Sequence, residues 1–184
     1  MRRVFDLFFG IIIFIISLPI LITAIFLIKI SDVGPAFFTQ KRVGKNGKEF
    51  IIYKLRTMRI DADKIGPELT EKDDPRITPV GKFLRKLSID ELPQLINVIK
   101  GDMSLVGPRP EIPSIVKTYD KWQIKVLAVK PGITGLSQVN GRAELSIPTK
   151  LRFDIYYIKH QSIWLDFKIL LKTAIEVIKR RGAY

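Results

Sequence analysis

From Leu7 to Ile28 every residue is apolar or small except Ser17 and Thr23, with Arg2, Arg3 and Asp6 ahead of the run and Lys29 behind it. A run of this length belongs in lipid, because roughly 20 apolar residues match the hydrocarbon thickness of a bilayer. It is longer than the apolar core of a cleaved signal peptide, and no small-x-small cleavage site follows, so the segment is expected to stay attached. Length alone favours a simple spanning helix. Two features favour a helix that re-enters on its own side. Pro19 sits mid-run, where it deletes a backbone hydrogen bond and crowds the preceding turn, so a sharp kink is expected, with Ser17 re-satisfying a freed carbonyl. Positive charge flanks both ends, Arg2 and Arg3 before and Lys29, Lys41, Arg42, Lys45 and Lys48 after, which draws both to the cytoplasm.

The 184 residues leave room for one compact domain beside this membrane element. Lys and Arg number 31 against 18 acidic residues, a formal charge of +13, and such a surplus attracts phosphate in nucleic acid, anionic lipid or phosphorylated substrates. The absence of cysteine rules out disulfides and thiolate metal sites, and the lone His160 cannot build a multi-histidine one.

Phe37 to Val43 and Glu49 to Leu55 are β-rich runs separated by Gly44-Lys45-Asn46-Gly47, and Asn-Gly is a hairpin signal. Asp61 to Pro79 is polar and proline-punctuated, and reads as a loop. Leu84, Leu87, Leu92, Leu95, Ile96 and Ile99 then recur at helical spacing, as do Ile115, Val116, Tyr119 and Trp122. The last run, Ile163 to Arg181, sets Trp164, Phe167, Leu170, Leu171, Ala174 and Ile178 apart from most of its lysines, either to lie on a membrane surface or to cover a core. The pattern predicts an α+β fold, mostly helical.

Walker A, G-x-G-x-x-G, H-E-x-x-H and G-x-S-x-G patterns are all absent. The chemistry-bearing segments are Arg85 to Gln94, Gly101 to Ser104, and Gly107-Pro108-Arg109-Pro110. Within the first, Ser88 to Glu91 reads as a capping box, but that would bury Pro93 inside a helix at a cost of about 3 kcal/mol. Starting the helix near Asp90 puts Pro93 in the tolerated first turn and the Asp90-Glu91 pair at an anion-favouring N-terminus, with Arg85, Arg109 or a divalent metal offsetting the charge. A second segment, Lys130 to Arg142, is a glycine-punctuated loop that is either a structural turn cluster or a ligand loop. Gln138 and Asn140 offer paired donors and acceptors for a base or ribose, and Arg142 a planar fork for phosphate. Phe153-Asp154-x-Tyr156-Tyr157 and Trp164-Leu165-Asp166 set isolated acids among aromatics.

Together these segments, with Tyr53-Lys54-Leu55-Arg56-Thr57-Met58 and the proline-interrupted apolar helix, resemble the bacterial sugar transferase family. Their order and compact size are similar to its small PglC-like monotopic phosphoglycosyl transferases rather than to relatives with additional N-terminal membrane helices. The resemblance implies a re-entrant helix over residues 1–32, broken at Pro19, and a catalytic domain over 33–184 that lies at the cytosolic face of the inner membrane on interfacial helices. It implies transfer of a sugar 1-phosphate from a UDP-sugar to undecaprenyl phosphate with release of UMP, the first membrane step of bacterial glycoconjugate or polysaccharide biosynthesis. Asp90 would be the nucleophile, Glu91 its assistant, and Mg²⁺ would bind through Asp90. Arg85, Arg109, Arg142, Lys54 and Arg56 would contact phosphate, and Asp166 would lie near the site. Two departures stand out. Leu18 intervenes between Ser17 and Pro19, where relatives often have serine directly before the proline, and Arg56 stands where lysine is common, turning a point charge into a fork. The rival readings are a membrane-tethered nucleic-acid-binding protein, for which no binding motif is present, and a membrane-surface scaffold. Nothing in the sequence fixes an oligomeric state.

Overall fold

The computed structural model describes residues 2–67, 70, 74–141 and 145–179. Its fold is α+β and mostly helical. Strands β1 (Phe37–Val43) and β2 (Glu49–Leu55) pair antiparallel, Phe37 opposite Leu55 and Val43 opposite Glu49. Asn46 (φ 57°) and Gly47 (φ 77°) turn the chain between them in the left-handed region that asparagine and glycine tolerate best.

Helix α1 runs Arg2–Ser31 as one element through Pro19. Ser17 donates its hydroxyl to the Phe14 carbonyl at 2.8 Å, so it serves the neighbour of the Ile15 carbonyl that Pro19 leaves without its usual donor. One stripe is buried along the whole helix: Asp6, Gly10, Ser17, Leu21, Ala24 and Ile28. Phe8, Ile12, Ile15, Ile22 and Phe26 are exposed on the rest. Two cores take the buried stripe. Phe5, Ile13 and Phe14 pack against Ile52, Leu95, Val98, Met103 and Tyr157, while Leu21, Ala24 and Ile28 pack with Leu55 and Leu84. Polar ties fix both ends to the same body. Arg2 pairs with Asp166 at 2.9 Å and Asp6 accepts the Ser104 hydroxyl at 2.8 Å, while at the far end Arg56 donates to the Val33 and Asp32 carbonyls.

The segment expected to be a loop contains a short helix, α2 (Ala62–Ile65), and Met58 bridges to Ile77 across it. Helix α3 (Pro79–Lys86) starts where proline is tolerated, and the Thr78 hydroxyl caps it by accepting from the Gly81 amide at 2.9 Å. The leucine-rich stretch beyond is not one helix. Ser88 adopts φ 55°, a 3-10 turn covers Ile89–Glu91, and α4 (Gln94–Lys100) begins after Pro93 and ends on left-handed Gly101. Strand β3 (Ser104–Val106) leads to α5 (Pro113–Val116) and pairs in parallel with β4 (Gly132–Thr134). The spacing over Ile115 to Trp122 thus yields only one helical turn, with a 3-10 stretch at Gln123–Ala128. Helix α6 (Ile147–Lys159) and helix α7 (Ile163–Ile178) close the body. Asp166 and Ile169 of α7 face inward, whereas Trp164, Phe167, Leu171, Ile175 and Ile178 stand exposed, 65% in the case of Trp164.

Candidate active site

The left-handed turn at Ser88 ends α3 and swings Asp90 and Glu91 inward, so the acids precede α4 rather than forming its first turn. No Ser88 side-chain cap forms. Three further elements bring cations to the pair. Strand β2 carries Lys54, and the fully buried Asn97 holds this strand to α4, accepting from the Tyr53 amide at 3.1 Å and donating to the Ile51 carbonyl at 2.7 Å. Helix α3 brings Arg85, whose Nε donates to the Thr57 hydroxyl at 2.8 Å. The turn after β3 carries Arg109. That turn lies so close to β4 that a Cβ on Gly132 would run into the Gly107 amide nitrogen and the Thr134 carbonyl, and bonds from Gly107 to Thr134 and from Gly132 to Pro108, both 2.9 Å, tie the two together.

The two acids differ in their commitments. One oxygen of Glu91 takes both Lys54 at 2.8 Å and Arg109 at 2.9 Å. Burial pushes the Glu91 carboxyl up, but Arg109 and Lys54 together outweigh it and hold the group below the usual carboxylate range. Glu91 in turn raises Arg109, while for Lys54 burial prevails over Glu91 and lowers the ammonium. The Asp90 side chain, in a residue only 7% exposed, makes no hydrogen bond or ion pair with any described residue. Burial raises its pKa and Glu91 raises it further, against the pull of Lys54, Arg85 and Arg109. It is the uncommitted carboxylate.

Asp90 and Glu91 open onto a cavity of about 960 Å³. Lys54, Arg85 and Arg109 line it, as do Ser137, Gln138 and Asp154, and Ile13, Phe37, Leu170 and Val177 supply apolar wall. Gln138 spends its amide on the Ile133 carbonyl, and its Oε1 is buried without a partner among the described residues. Arg56 also borders the cavity, but its guanidinium serves the end of α1, so its role here is to fix that end and not to present a free fork. Asn140 and Asp166 are not among the cavity walls. Asn140 is exposed and bonds Lys172 at 2.7 Å, and Asp166 accepts from Arg2 and from the buried Tyr157 hydroxyl. Arg142 lies outside the described residues. Ser17 and Pro19 are on α1, away from the cavity lining.

Asp90 is the residue here that could hold a hard cation. Among the described residues no three acidic or histidine side chains form a cluster, and Mg²⁺ needs no such cage, since one or two carboxylates plus substrate phosphates satisfy it. Asp90 is the carboxylate with oxygens to spare.

Asn97, Ser137 and Asp154 belong to this architecture without standing out in the sequence as site residues. Asn97 lies in an apolar helix with nothing to mark its side chain as a strand anchor. Ser137 and Asp154 are 17 residues apart and meet at 2.8 Å only after α6 folds back on the loop beyond β4. The acid among the aromatics at Phe153 to Tyr157 was a visible signal, but its partner was not.

The model of the family described as bacterial sugar transferase matches residues 1–180, and the chain belongs to that family. It is 44% identical over 199 residues to the undecaprenyl-phosphate galactose phosphotransferase of Salmonella typhimurium, an alignment covering 100% of this chain and 42% of that protein. Against the UDP-galactose-lipid carrier transferase of Erwinia amylovora the figures are 40% identity over 199 residues, with 100% and 42% covered. The uncharacterized sugar transferase EpsL of Bacillus subtilis is 42% identical over 182 residues, with 99% of this chain and 89% of that protein aligned. The chain thus spans 42% of the length of the Salmonella and Erwinia proteins.

Proposed function

We propose that this chain is a phosphoglycosyl transferase that moves a sugar 1-phosphate from a UDP-sugar to undecaprenyl phosphate at a membrane surface. The observation that carries the reading is the asymmetry of the acidic pair: Glu91 is spent on holding Lys54 and Arg109, whereas Asp90 is left uncommitted between three cationic side chains. A carboxylate is a weak nucleophile toward an anionic diphosphate, so positive charge must supply most of the stabilisation. Lys54, Arg85 and Arg109 provide it from fixed positions. Asp90 is the residue that would hold Mg²⁺, which would supply Lewis-acid charge neutralisation to the donor's diphosphate.

In the first step an Asp90 carboxylate oxygen attacks the sugar-bearing phosphorus. The phosphoanhydride bond breaks, and its electron pair leaves with UMP. In the second, an oxygen of the polyprenyl phosphate attacks the same phosphorus, and the acyl phosphate bond breaks to regenerate the carboxylate and release a polyprenyl diphosphosugar. The names of the Salmonella and Erwinia relatives support the lipid carrier and the UDP donor. The exposed apolar faces of α1 and α7 support a membrane position, and the apolar wall beside the acidic pair suits the lipid acceptor's isoprenoid end.

Incubating the purified, membrane-reconstituted chain with a UDP-sugar alone should release UMP and leave a phosphosugar adduct on Asp90, visible by intact-protein mass spectrometry and absent from Asp90→Asn. Chelating Mg²⁺ should stop UMP release, and restoring the metal should recover it. A wild-type protein inert toward every UDP-sugar and polyprenyl phosphate offered would sink the reading. Turnover without any trapped adduct would remove the covalent step alone.

A further inference from the structure

The cavity is chemically divided. Lys54, Arg85 and Arg109 gather around Asp90 and Glu91, while a second set of polar groups lines the cavity from other elements. Asp154 of α6 anchors the second set. It is 4% exposed yet lines the cavity, and its one side-chain partner among the described residues is the Ser137 hydroxyl, which donates at 2.8 Å. Around it stand Glu111 from the segment after β3, Tyr119, Ser137 from the loop after β4, and Lys150 one turn back on α6, all lining the same space. Burial raises the pKa of Asp154 and Glu111 adds to it, against the hydrogen bonds from Ser137 and the charge of Lys150. Gln138 adds a buried acceptor, its Oε1 being without a partner among the described residues.

Glu111 is paired with Arg42, and the single Lys150 beside Asp154 offers a diphosphate less than Lys54, Arg85 and Arg109 together do. What faces Asp154 must be uncharged and rich in donors. We propose that Asp154 is a donor-recognition residue, accepting hydrogen bonds from hydroxyl groups of the nucleotide sugar while the cationic side chains hold its diphosphate. The assignment rests on the reading under Proposed function and extends it to the substrate's polyhydroxy portion, either the hexose or the ribose. A carboxylate suits that task because it offers only acceptors, and hydroxyls bonded to an ionised group are held about twice as strongly as by a neutral one. Ser137 fixes one carboxylate oxygen and so orients the group.

Titration calorimetry on the full chain tests this without turnover, using Asp90→Asn as the parent and UDP-galactose, UDP-glucose, UDP-N-acetylgalactosamine and UMP as probes. Adding Asp154→Asn should weaken binding of at least one UDP-hexose by about tenfold or more, the loss expected for one charge-assisted hydrogen bond. Unchanged UMP affinity then assigns the contact to the hexose. A parallel loss for UMP assigns it to the ribose. Ser137→Ala should give a smaller loss in the same direction. If Asp154 only braces the loop after β4, both variants lower the melting temperature and leave every affinity as it was, which overturns the proposal. A parent that binds none of the probes removes the transferase reading and this inference with it, whereas binding that ignores Asp154 removes the inference alone.

Discussion

Burial raises the pKa of Asp90 and Glu91 raises it further, while the adjacent Glu91 is held low because Arg109 and Lys54 outweigh its own burial. The signs of the two stability terms are therefore opposite. A carboxyl whose folded pKa is raised opposes folding once pH exceeds its unfolded value of about 3.9, and the penalty is complete above the folded pKa. A depressed one contributes stability above about 4.3 that is lost as pH falls through its folded pKa. At neutral pH Asp90→Asn should consequently melt higher than the wild type, by roughly 2–4 °C for each kcal/mol recovered, although it abolishes UMP release. Glu91→Gln should melt lower, losing about 1–3 kcal/mol, because Lys54 and Arg109 lose their shared acceptor. The Asp90 difference should shrink as pH falls toward about 4, whereas the Glu91 difference should persist there and shrink only at lower pH. Thermal melts of the three proteins across that range check the pattern, and a destabilised Asp90→Asn at neutral pH would contradict it. Asp154 titrates where its effect can be followed in activity. Burial and Glu111 push it up to about 7, so the donor KM should fall as pH rises through about 7 and stay flat in Asp154→Asn. The chain's charge surplus and the Asp-Glu-x-Pro run made the cationic half of this site legible. The other half was not, since local pattern carries no information on a contact such as Ser137 with Asp154, made across 17 residues.

Elements differ in how far their own residues determine them. The β1–β2 hairpin was legible to its boundaries because Asn46 and Gly47 dictate the turn and a β-rich run flanks it on each side. The leucine spacing from Leu84 to Ile99 marked helix on both sides of the acidic pair, with a helix start expected near Asp90; the chain breaks at Ser88, and it is this break that delivers Asp90 to the cavity. Periodicity reports an apolar face, and both α3 and α4 keep theirs across the interruption. Placement of β2 depends on Asn97, which satisfies one amide and one carbonyl on the strand that carries Lys54. Asn97→Ala should therefore destabilise by about 1–3 kcal/mol, since two part-buried backbone groups lose their partners together. Activity should fall beyond what stability explains, because Lys54 loses its fixed approach to Glu91. Urea unfolding paired with UMP release in the folded fraction separates the two effects. Full activity per folded molecule would show that α4 does not position the lysine.

At the scale of the whole molecule the question is what α1 does with a length of about 45 Å, enough to cross a bilayer. A crossing helix would meet lipid all round its middle and leave its ends in two compartments. Here Ser17, Leu21 and Ala24, in mid-helix, are buried against the same body as the ends. Arg2 and Asp6 are bound to Asp166 and Ser104, and Asp32 and Val33 to Arg56, within that body. To separate the two ends across a membrane would break one set of these ties and draw charged α3 and β2 residues into hydrocarbon, where each uncompensated charge costs at least about 2.5 kcal/mol. We therefore expect α1 to lie half-embedded with its exposed isoleucines and phenylalanines in one leaflet, beside the outward apolar face of α7. The absence of native cysteine makes the test direct. Val4→Cys and Val33→Cys, both at exposed positions flanking the apolar run, should react with an impermeant maleimide only in inverted vesicles, whose cytoplasmic face points outward. Labelling of one in inverted and the other in right-side-out vesicles would mean that α1 crosses, and that the packing along its middle gives way in the membrane.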